Sequence, residues 1–281
     1  MAGVKDIKRR IKSVSNIQQI TKALKMVAAA RIKKAEDRMK ASRPYSYKMQ
    51  EVVTEFTSQL EGALHPLMDW RKPEKTAVVV VGADKGLCGS YNNNILRMSH
   101  SYLKELDHGF SLIALGQKAK RFFAKRGYKI EKEFVNWNTD YDLAKTLAFI
   151  TSRWFIEKTV DEVVVFYSKT VSALNQKPLM EKILPIKRVE AKAGIIPYIF
   201  EPSPFEALSI LLPKYLEVIF FQILLEAKAA ELGARLRAMS NATDNAEKLV
   251  HELTLKFFRA RQESITTEIL EVSSGAEALK V

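Results

Sequence analysis

The chain has 281 residues, of which 47% are hydrophobic and 27% are charged, and this ordinary balance excludes wholesale disorder. The single cysteine, Cys88, excludes an internal disulfide. The longest uncharged apolar run near the C-terminus is 218–225, too short for a bilayer, so the sequence predicts no transmembrane helix. Residues 1–43 carry 13 basic and 3 acidic side chains, most of the net charge of +13. Such a segment favours an anionic partner: nucleic acid, a lipid surface or an acidic protein.

The N-terminal segment has the spacing of an amphipathic helix. Apolar residues recur about every 3.6 positions over 7–39, and no Gly or Pro interrupts 4–43. Pro44 predicts a kink or a break, because proline lacks an N–H and clashes with the preceding turn. Helical character resumes at about 45–64.

The middle of the chain alternates between strand and helix patterns. In order, the predicted elements are strand 76–81, helix 92–106, strand 110–115, helix 117–126, helix 141–158, strand 162–167 and an edge strand 180–186, followed by a connector over 187–202. The β-branched run at 76–81 is typical of a buried parallel strand. This alternation predicts a Rossmann-like α/β domain over 67–202 with a mostly parallel sheet.

The C-terminal segment is helical again. Ser203 and Glu206 form a capping box, and Pro213 predicts a kink. A stripe over 212–260 repeats about every 3.7 residues and contains six consecutive alanine positions, which would let a second helix approach closely. The sequence therefore predicts a long antiparallel two-helix coiled coil formed by 1–66 and 203–281.

Apolar residues extend beyond one face of the C-terminal helix. They cluster at 219–225 and again at 257–270. A helix that is apolar on more than one side has a further neighbour, so both stretches predict contact with a partner.

Motifs that carry chemistry are sparse. The glycine-rich loop 82–89 and the pair Tyr141–Lys145 are similar to features of NAD(P)-dependent short-chain reductases, so such a reductase is one alternative. The loop, however, lacks the G-x-G-x-x-G and Walker patterns. The scattered histidines and Cys88 give no metal-ligand spacing. We therefore predict no catalytic residue, no cofactor and no metal. The basic N-terminal segment leaves a second alternative, a coiled-coil protein that binds nucleic acid or a membrane surface.

Several stretches resemble the γ subunit of the F-type ATP synthase, the central rotor stalk, and the resemblance covers essentially the whole chain. They are the IQQITKALKMVAAA stretch at 17–30, DKGLCG at 84–89, SALNQKP at 172–178, MSNATDNA at 239–246 and RQESITTEILEVSSGA at 261–276. Leu24 stands where the family often has methionine, a swap of similar volume.

The resemblance implies a non-catalytic shaft that couples proton-driven rotation of a c-subunit ring to ATP synthesis or hydrolysis in a hexamer of α and β subunits. It implies contacts with the α, β and ε subunits and the c ring, and none with nucleic acid. It places the chain peripherally on the cytoplasmic side of a bacterial plasma membrane. The residues that match partner-contact positions of the family are Lys22, Leu24, Lys25, Met26, Arg31, Lys33, Asp84, Lys85, Arg261, Gln262, Thr266 and Glu268.

Overall fold

A computed structural model describes residues 3–58, 65–172, 175–187 and 203–278. Its elements are α1 (Val4–Ser58), β1 (Lys75–Val81), α2 (Tyr91–Glu105), β2 (Gly109–Leu115), α3 (Gln117–Ala124), β3 (Ile130–Phe134), α4 (Tyr141–Ile156), β4 (Glu162–Ser172), β5 (Asn175–Leu184) and α5 (Pro204–Ala278). A single 3₁₀ turn, Pro66–Met68, precedes β1. Two long terminal helices and a central α/β region agree with the predicted fold class.

The five strands form one sheet in the order β3-β2-β1-β4-β5. The pairs β1–β2, β1–β4 and β2–β3 are parallel, and β4–β5 is antiparallel. Residues 76–81 of β1 are all buried, as expected for a central strand covered on both faces. The mostly parallel Rossmann-like sheet and the edge position of β5 are thus confirmed.

Two strands differ from the prediction. β3 was missed because its Ile-Glu-Lys-Glu-Phe sequence has apolar residues only at its ends, and its three central charged side chains are exposed at the sheet edge. β4 and β5 are longer than predicted and pair as an antiparallel ribbon, with Lys169 opposite Lys177. The polar ends of β4 and β5 lack the alternation of apolar and polar residues that predicts a strand. Pro178 is tolerated because β5 is an edge strand.

Both long helices continue through their prolines. A break at Pro44 is wrong, since α1 is continuous, and α5 continues through Pro213; a kink at either proline stays a prediction. Buried Met39 and Val53 flank Pro44, and fully buried Leu212 and Leu216 flank Pro213. Packing on both sides therefore offsets the backbone hydrogen bond that each proline removes. The predicted helical residues 59–64 and most of the connector, 188–202, lie outside the described residues.

The start of α5 follows the predicted cap. The Glu206 amide donates to the Ser203 hydroxyl at 3.3 Å, and the Ala207 amide donates to the Ser203 carbonyl at 3.1 Å. These bonds satisfy amides that the first helical turn leaves without partners.

The chain divides into two compact units, one comprising Met1–Val27 with Leu236–Val281 and the other Ala28–Arg235. In the larger unit, Val53 and Phe56 of α1 share a hydrophobic cluster with residues 208–216 of α5. Arg43, earlier on α1, pairs with Glu226, later on α5, at 3.4 Å. The two helices are thus antiparallel there, as predicted. The division at residues 66 and 202 stays a prediction.

The smaller unit contains a buried polar contact between its two helices. The Thr243 hydroxyl lies 2.9 Å from the Thr21 hydroxyl, and Thr21 donates onward to the Gln18 carbonyl at 3.0 Å. Both threonine side chains are buried. The contact satisfies hydroxyl groups that would otherwise be costly to bury.

The alanine stripe was predicted to let a second helix approach closely, and it does so over only part of its length. Ala230 and Ala234 share a buried cluster with residues of the sheet, of α2 and of the segment after β1, whereas the cluster of Ala227 includes Val53 and Phe56 of α1. The Tyr91 hydroxyl donates to the Ala227 carbonyl at 3.1 Å, a contact that small side chains permit. Ala229 is the residue of this stretch that packs beside Met39 of α1.

One described helix is long and apolar enough to cross a membrane by length and composition: α5 contains an 18-residue window of mean hydropathy 1.8. The prediction of no transmembrane helix rested on uncharged length alone, which does not exclude this helix. Leu208, Leu212, Leu216 and Phe220 are buried in the core of this chain. Packing against the sheet accounts for the hydropathy of this stretch.

The Asp161 carboxylate joins the amino ends of β1 and β4. It accepts hydrogen bonds from the Arg71 side chain and from the amides of Glu74 (2.9 Å) and Lys75 (3.0 Å). Burial alone would raise the pKa of Asp161, but these hydrogen bonds and the charge of Arg71 outweigh it and lower the pKa.

We expect Asp161→Asn to lower the free energy of unfolding by about 2–3 kcal/mol at pH 7, because charge-assisted hydrogen bonds are lost. A depressed folded-state pKa stabilises the fold above the unfolded value of about 3.9, and this contribution disappears as the pH falls through the folded value. The difference from wild type should therefore shrink below about pH 4. Urea unfolding at submicromolar concentration measures it, with exposed Asp140→Asn as the control. An equal loss of unfolding free energy at pH 7 and below about pH 4 would contradict the assignment.

Candidate partner-binding surfaces

The α1 part of the smaller unit exposes basic and apolar side chains together. Lys22 is exposed, Leu24 and Lys25 are half-buried, and Met26 is 61% exposed. Three further apolar residues there are exposed: Ile17, Ile20 and Val27. Within the described residues, neither lysine forms an ion pair. The surface thus offers both charge and apolar area to a partner.

The α1 part of the larger unit continues the basic pattern. Arg31 and Lys33 are exposed on either side of buried Ile32. Among the residues that the structure describes, no carboxylate pairs with either cation. Their charge is therefore directed to solvent or to a partner.

The loop between β1 and α2 gives different roles to Asp84 and Lys85. The Asp84 carboxylate accepts from the backbone amides of Gln117 (3.0 Å), Asn136 (2.7 Å) and Trp137 (3.1 Å). It therefore joins three segments of its own fold, and contact with a partner stays a prediction. Lys85 is exposed.

Sequence reasoning missed two features of this loop. Leu87 is 63% exposed and has a positive φ of 60°, a conformation that non-glycine residues rarely adopt. Arg235 of α5 donates to the carbonyls of Lys85 (3.4 Å) and Gly86 (3.3 Å). The spacing Glu231–Arg235 indicates an ion pair within a helix, but no sequence signal links that pair to a loop 149 residues away.

The four matched residues near the end of α5 are all exposed. Gln262 and Thr266 are one turn apart and line a shallow groove with neighbouring polar residues. Arg261 and Glu268 are two turns apart and lie on another side of the helix. The residues that sequence reasoning treated as one cluster therefore divide between two sides.

Exposed apolar side chains surround the same stretch of helix. Those of α5 in the smaller unit are Leu249, Leu255, Phe258, Ile265, Ile269, Leu270 and Val272, between 43% and 73% exposed, and we call them the C-terminal apolar belt. In contrast, the stretch at 219–225 is covered by its own fold: Phe220, Ile223, Leu224 and Leu225 are buried. The predicted partner contact is thus wrong for 219–225, because the sheet and α1 already cover it, and stays a prediction for 257–270.

We expect the isolated chain to self-associate, because nothing in the described part of the chain covers the C-terminal apolar belt. Light scattering at micromolar concentration should show oligomers, and a hydrophobic dye should bind. Ile265→Ser with Ile269→Ser should reduce both signals, whereas the exposed polar pair Glu247→Ser with Lys248→Ser should not. A monodisperse wild-type monomer that binds no dye would contradict this expectation.

The structure disfavours a dinucleotide site. In doubly wound sheets the ligand occupies the crevice beyond the carboxyl ends of the strands, where the strand order reverses. That point lies between β1 and β4 in this sheet. Ala230 and Ala234 of α5 share a buried cluster with Ala83, which follows β1, and with Phe166 of β4. Side chains of α5 therefore belong to the core beside that point.

The Tyr141–Lys145 pair does not have the environment of a reductase dyad. The Tyr141 hydroxyl donates to the Glu217 carboxylate at 2.8 Å. Burial, followed by the hydrogen bond to Glu217, raises the pKa of Tyr141, whereas a catalytic tyrosine acid–base needs its pKa brought towards neutrality. Lys145 lies 5.3 Å from the Tyr141 ring centre. This pair is part of the packing between α4 and α5. Within the described residues, no group of three or more His, Cys, Asp or Glu side chains is placed to hold a metal ion.

Comparison with known proteins gives one consistent result. The family described as ATP synthase matches residues 3–279. The ATP synthase gamma chain of Moorella thermoacetica is 43% identical over 282 residues, covering 100% of both chains. That of Desulfitobacterium hafniense is 42% identical over 282 residues, again with 100% of both covered.

Solved structures agree. A chain from the central stalk and c ring of Tetrahymena thermophila mitochondrial ATP synthase matches with a TM-score of 0.61 and 25% identity, over 79% of this chain and 99% of that one. A chain from the OSCP/F1/c-ring part of Euglena gracilis mitochondrial ATP synthase matches with a TM-score of 0.72 over 98% and 94% of the two chains. At 18% identity, the second likeness shows the fold alone.

Proposed function

The chain belongs to the ATP synthase gamma-chain family and is a non-catalytic central-stalk subunit of the F-type complex, and on this premise we propose how its surfaces engage the other subunits. The proposal assigns the end of α5 to the α and β subunits of the hexamer. It assigns the basic surface of α1 to acidic segments of the β subunits. The α/β domain is assigned to the ε subunit and the c ring.

The observation that carries the proposal is the C-terminal apolar belt. Its exposed side chains lie on several sides of one helix, among them Phe258, Ile269 and Leu270. Apolar contacts have no preferred direction. A ring of subunits around such a helix can therefore exclude water from it while the helix turns, without a strong barrier at any angle.

The polar residues of the same stretch supply the directional part of the contact. Arg261 and Glu268 lie on one side, and Gln262 and Thr266 on another. A single helix inside a three-fold ring can satisfy such groups against only one subunit face at a time. The resulting asymmetry would make the three catalytic sites unequal, and a change at one site would then bias the angle of the shaft.

The basic surface of α1 supplies the long-range electrostatic part of the contact with the hexamer. Lys25→Ala should leave assembly intact but change how ATP turnover depends on salt, because exposed ion pairs contribute about 1 kcal/mol or less and are screened. Turnover of the purified complex between low and high salt measures this, with Lys104→Ala on α2 as the control. Loss of assembly without any change in salt dependence would contradict the assignment.

We propose that the chain is peripheral to the bacterial plasma membrane, on its cytoplasmic side. Support comes from the membership of the chain in an ATP synthase family and from bacterial relatives at about 42% identity. In a membrane fractionation, the chain should sediment with membranes and be accessible to protease in inverted vesicles only. Accessibility in right-side-out vesicles would overturn the assigned side.

The test of the proposed function is assembly combined with coupling. The tagged chain, expressed in its host, should retrieve the α, β, ε and c subunits from solubilised membranes, identified by mass spectrometry. Inverted vesicles that contain this complex should acidify when ATP is added. Retrieval of other proteins, or ATP hydrolysis without acidification, would contradict the proposal.

A further inference from the structure

The segment 84–89 between β1 and α2, called here the β1–α2 loop, is fixed at its start by α2, by the first residue of α3 and by the segment after β3. Ala83 donates its amide to the Asn92 side chain at 2.9 Å, and Asp84 accepts three backbone amides. Further along the loop, Leu87 is 63% exposed and has a φ of 60°. A large apolar side chain in this conformation persists only where the surrounding structure determines it.

The middle of the loop is fixed by α5. Arg235 Nη2 donates to the carbonyls of Lys85 (3.4 Å) and Gly86 (3.3 Å), and Arg235 Nε also donates to Gly86 (3.4 Å). Each contact is long, but all three act on one planar guanidinium group. The orientation of that group therefore sets the position of the loop backbone.

Glu231 holds the guanidinium group in place. Its carboxylate lies 2.7 Å from Arg235 Nη2 and 3.0 Å from Lys228 Nζ. The Glu231 side chain is only 4% exposed, and that of Arg235 is 15% exposed. Lys228 Nζ in turn lies 5.1 Å from the ring centre of Trp137, whose amide binds Asp84. A buried carboxylate with two cations retains one geometry, since breaking it would leave a charge unpaired.

We propose that Glu231 is a positioning residue that acts through Arg235 to lock the β1–α2 loop onto α5. The loop would then turn rigidly with the shaft and present Lys85 and Leu87 to the neighbouring subunits at a fixed angle. This inference rests on the proposed function, because only a rotating α5 gives a locked loop a role in coupling.

Glu231→Gln tests the lock in the assembled complex. It keeps the size of the side chain but removes the charge that holds Arg235. We expect amide hydrogen exchange of the peptide that spans 85–90 to accelerate at least tenfold. We also expect proton pumping per ATP hydrolysed to fall severalfold. Glu247→Gln, the same substitution at an exposed site on α5, should change neither quantity.

Cys88 gives a second readout, because it is the single cysteine of the chain and is buried within the loop. Alkylation of Cys88, followed by mass spectrometry, should be faster in Glu231→Gln. Burial, and to a smaller extent Glu231, raises the pKa of this thiol, so faster alkylation could also reflect ionisation. Amide exchange does not depend on thiol ionisation and separates the two causes.

If Glu231→Gln does not assemble, Glu231→Asp preserves the charge on a shorter side chain and should give intermediate exchange and coupling. Wild-type exchange in the assembled variants would overturn the lock. Faster exchange with wild-type coupling would overturn the role of the lock in rotation and leave the proposed function intact. Failure of the wild-type chain to retrieve α and β subunits would instead overturn the proposed function.

Discussion

The double variant Arg261→Ala with Gln262→Ala should assemble into a complete complex whose ATP turnover and ATP-driven proton pumping are at least tenfold below wild type. Both side chains are exposed in the chain by itself, on a helix whose other exposed residues are mostly apolar. In the proposed complex they become buried against the surrounding subunits, each on its own side of the helix. A polar group buried there contributes through directional hydrogen bonds, and its unpaired partner costs about 1–3 kcal/mol, so two such losses reach a tenfold effect.

The apolar belt explains why assembly should survive. Phe258, Ile265 and Ile269 are unchanged in the double variant, so the area that they would bury against the hexamer is kept. Glu247→Ala with Lys248→Ala removes two exposed polar side chains elsewhere on α5 and should leave both activities near wild type. Wild-type turnover and pumping in the Arg261/Gln262 variant would show that steric fit alone transmits torque.

Gly116→Ala should prevent the α/β region from folding, the largest effect on stability that we expect from a single methyl group. Gly116 has a φ of 86°, and a Cβ atom there would lie 2.3 Å from the Gly82 carbonyl oxygen. The clash is with backbone at the carboxyl ends of β1 and β2, so no side-chain rotation relieves it. We expect a loss of more than about 4 kcal/mol, comparable with the whole stability of a marginal domain.

Gly127→Ala is the matched control. Gly127 has a similar φ of 76°, but nothing lies within 4 Å of the Cβ position. This variant should lose only the cost of the left-handed conformation, about 1–2 kcal/mol. Circular dichroism and urea unfolding of both variants measure the difference. Similar stabilities would mean that backbone strain, and not the close approach to Gly82, determines the role of Gly116.

The sequence predicted the fold where its periodicity was uninterrupted. The β-branched run of β1 and the helical stripes of α1 and α5 have strong periods, and the structure has these elements close to the predicted bounds. β3 was missed because a five-residue edge strand with three charged residues carries no period. A break in α1 at Pro44 was expected because the sequence does not show the packing of Met39 and Val53. That packing keeps α1 continuous, and it involves residues distant in sequence.

Only part of the candidate site could likewise be predicted from the sequence. Matching residues to a family motif located exposed positions such as Lys22 and Gln262, because local sequence carries that information. It did not reveal that the Asp84 carboxylate is already bound by three amides, nor that Glu231 and Arg235 hold the loop beside it. These contacts join segments 33 to 150 residues apart, and no local pattern encodes them.

The central claim is that this chain rotates inside the hexamer. The most direct measurement fixes the α/β hexamer to a surface and attaches a bead to the chain through Arg97→Cys, an exposed position on α2, with Cys88→Ser in the background. Addition of ATP should produce continuous rotation of the bead in one direction, at a rate that follows ATP turnover. A bead that stays at one angle while the hexamer hydrolyses ATP would contradict the claim.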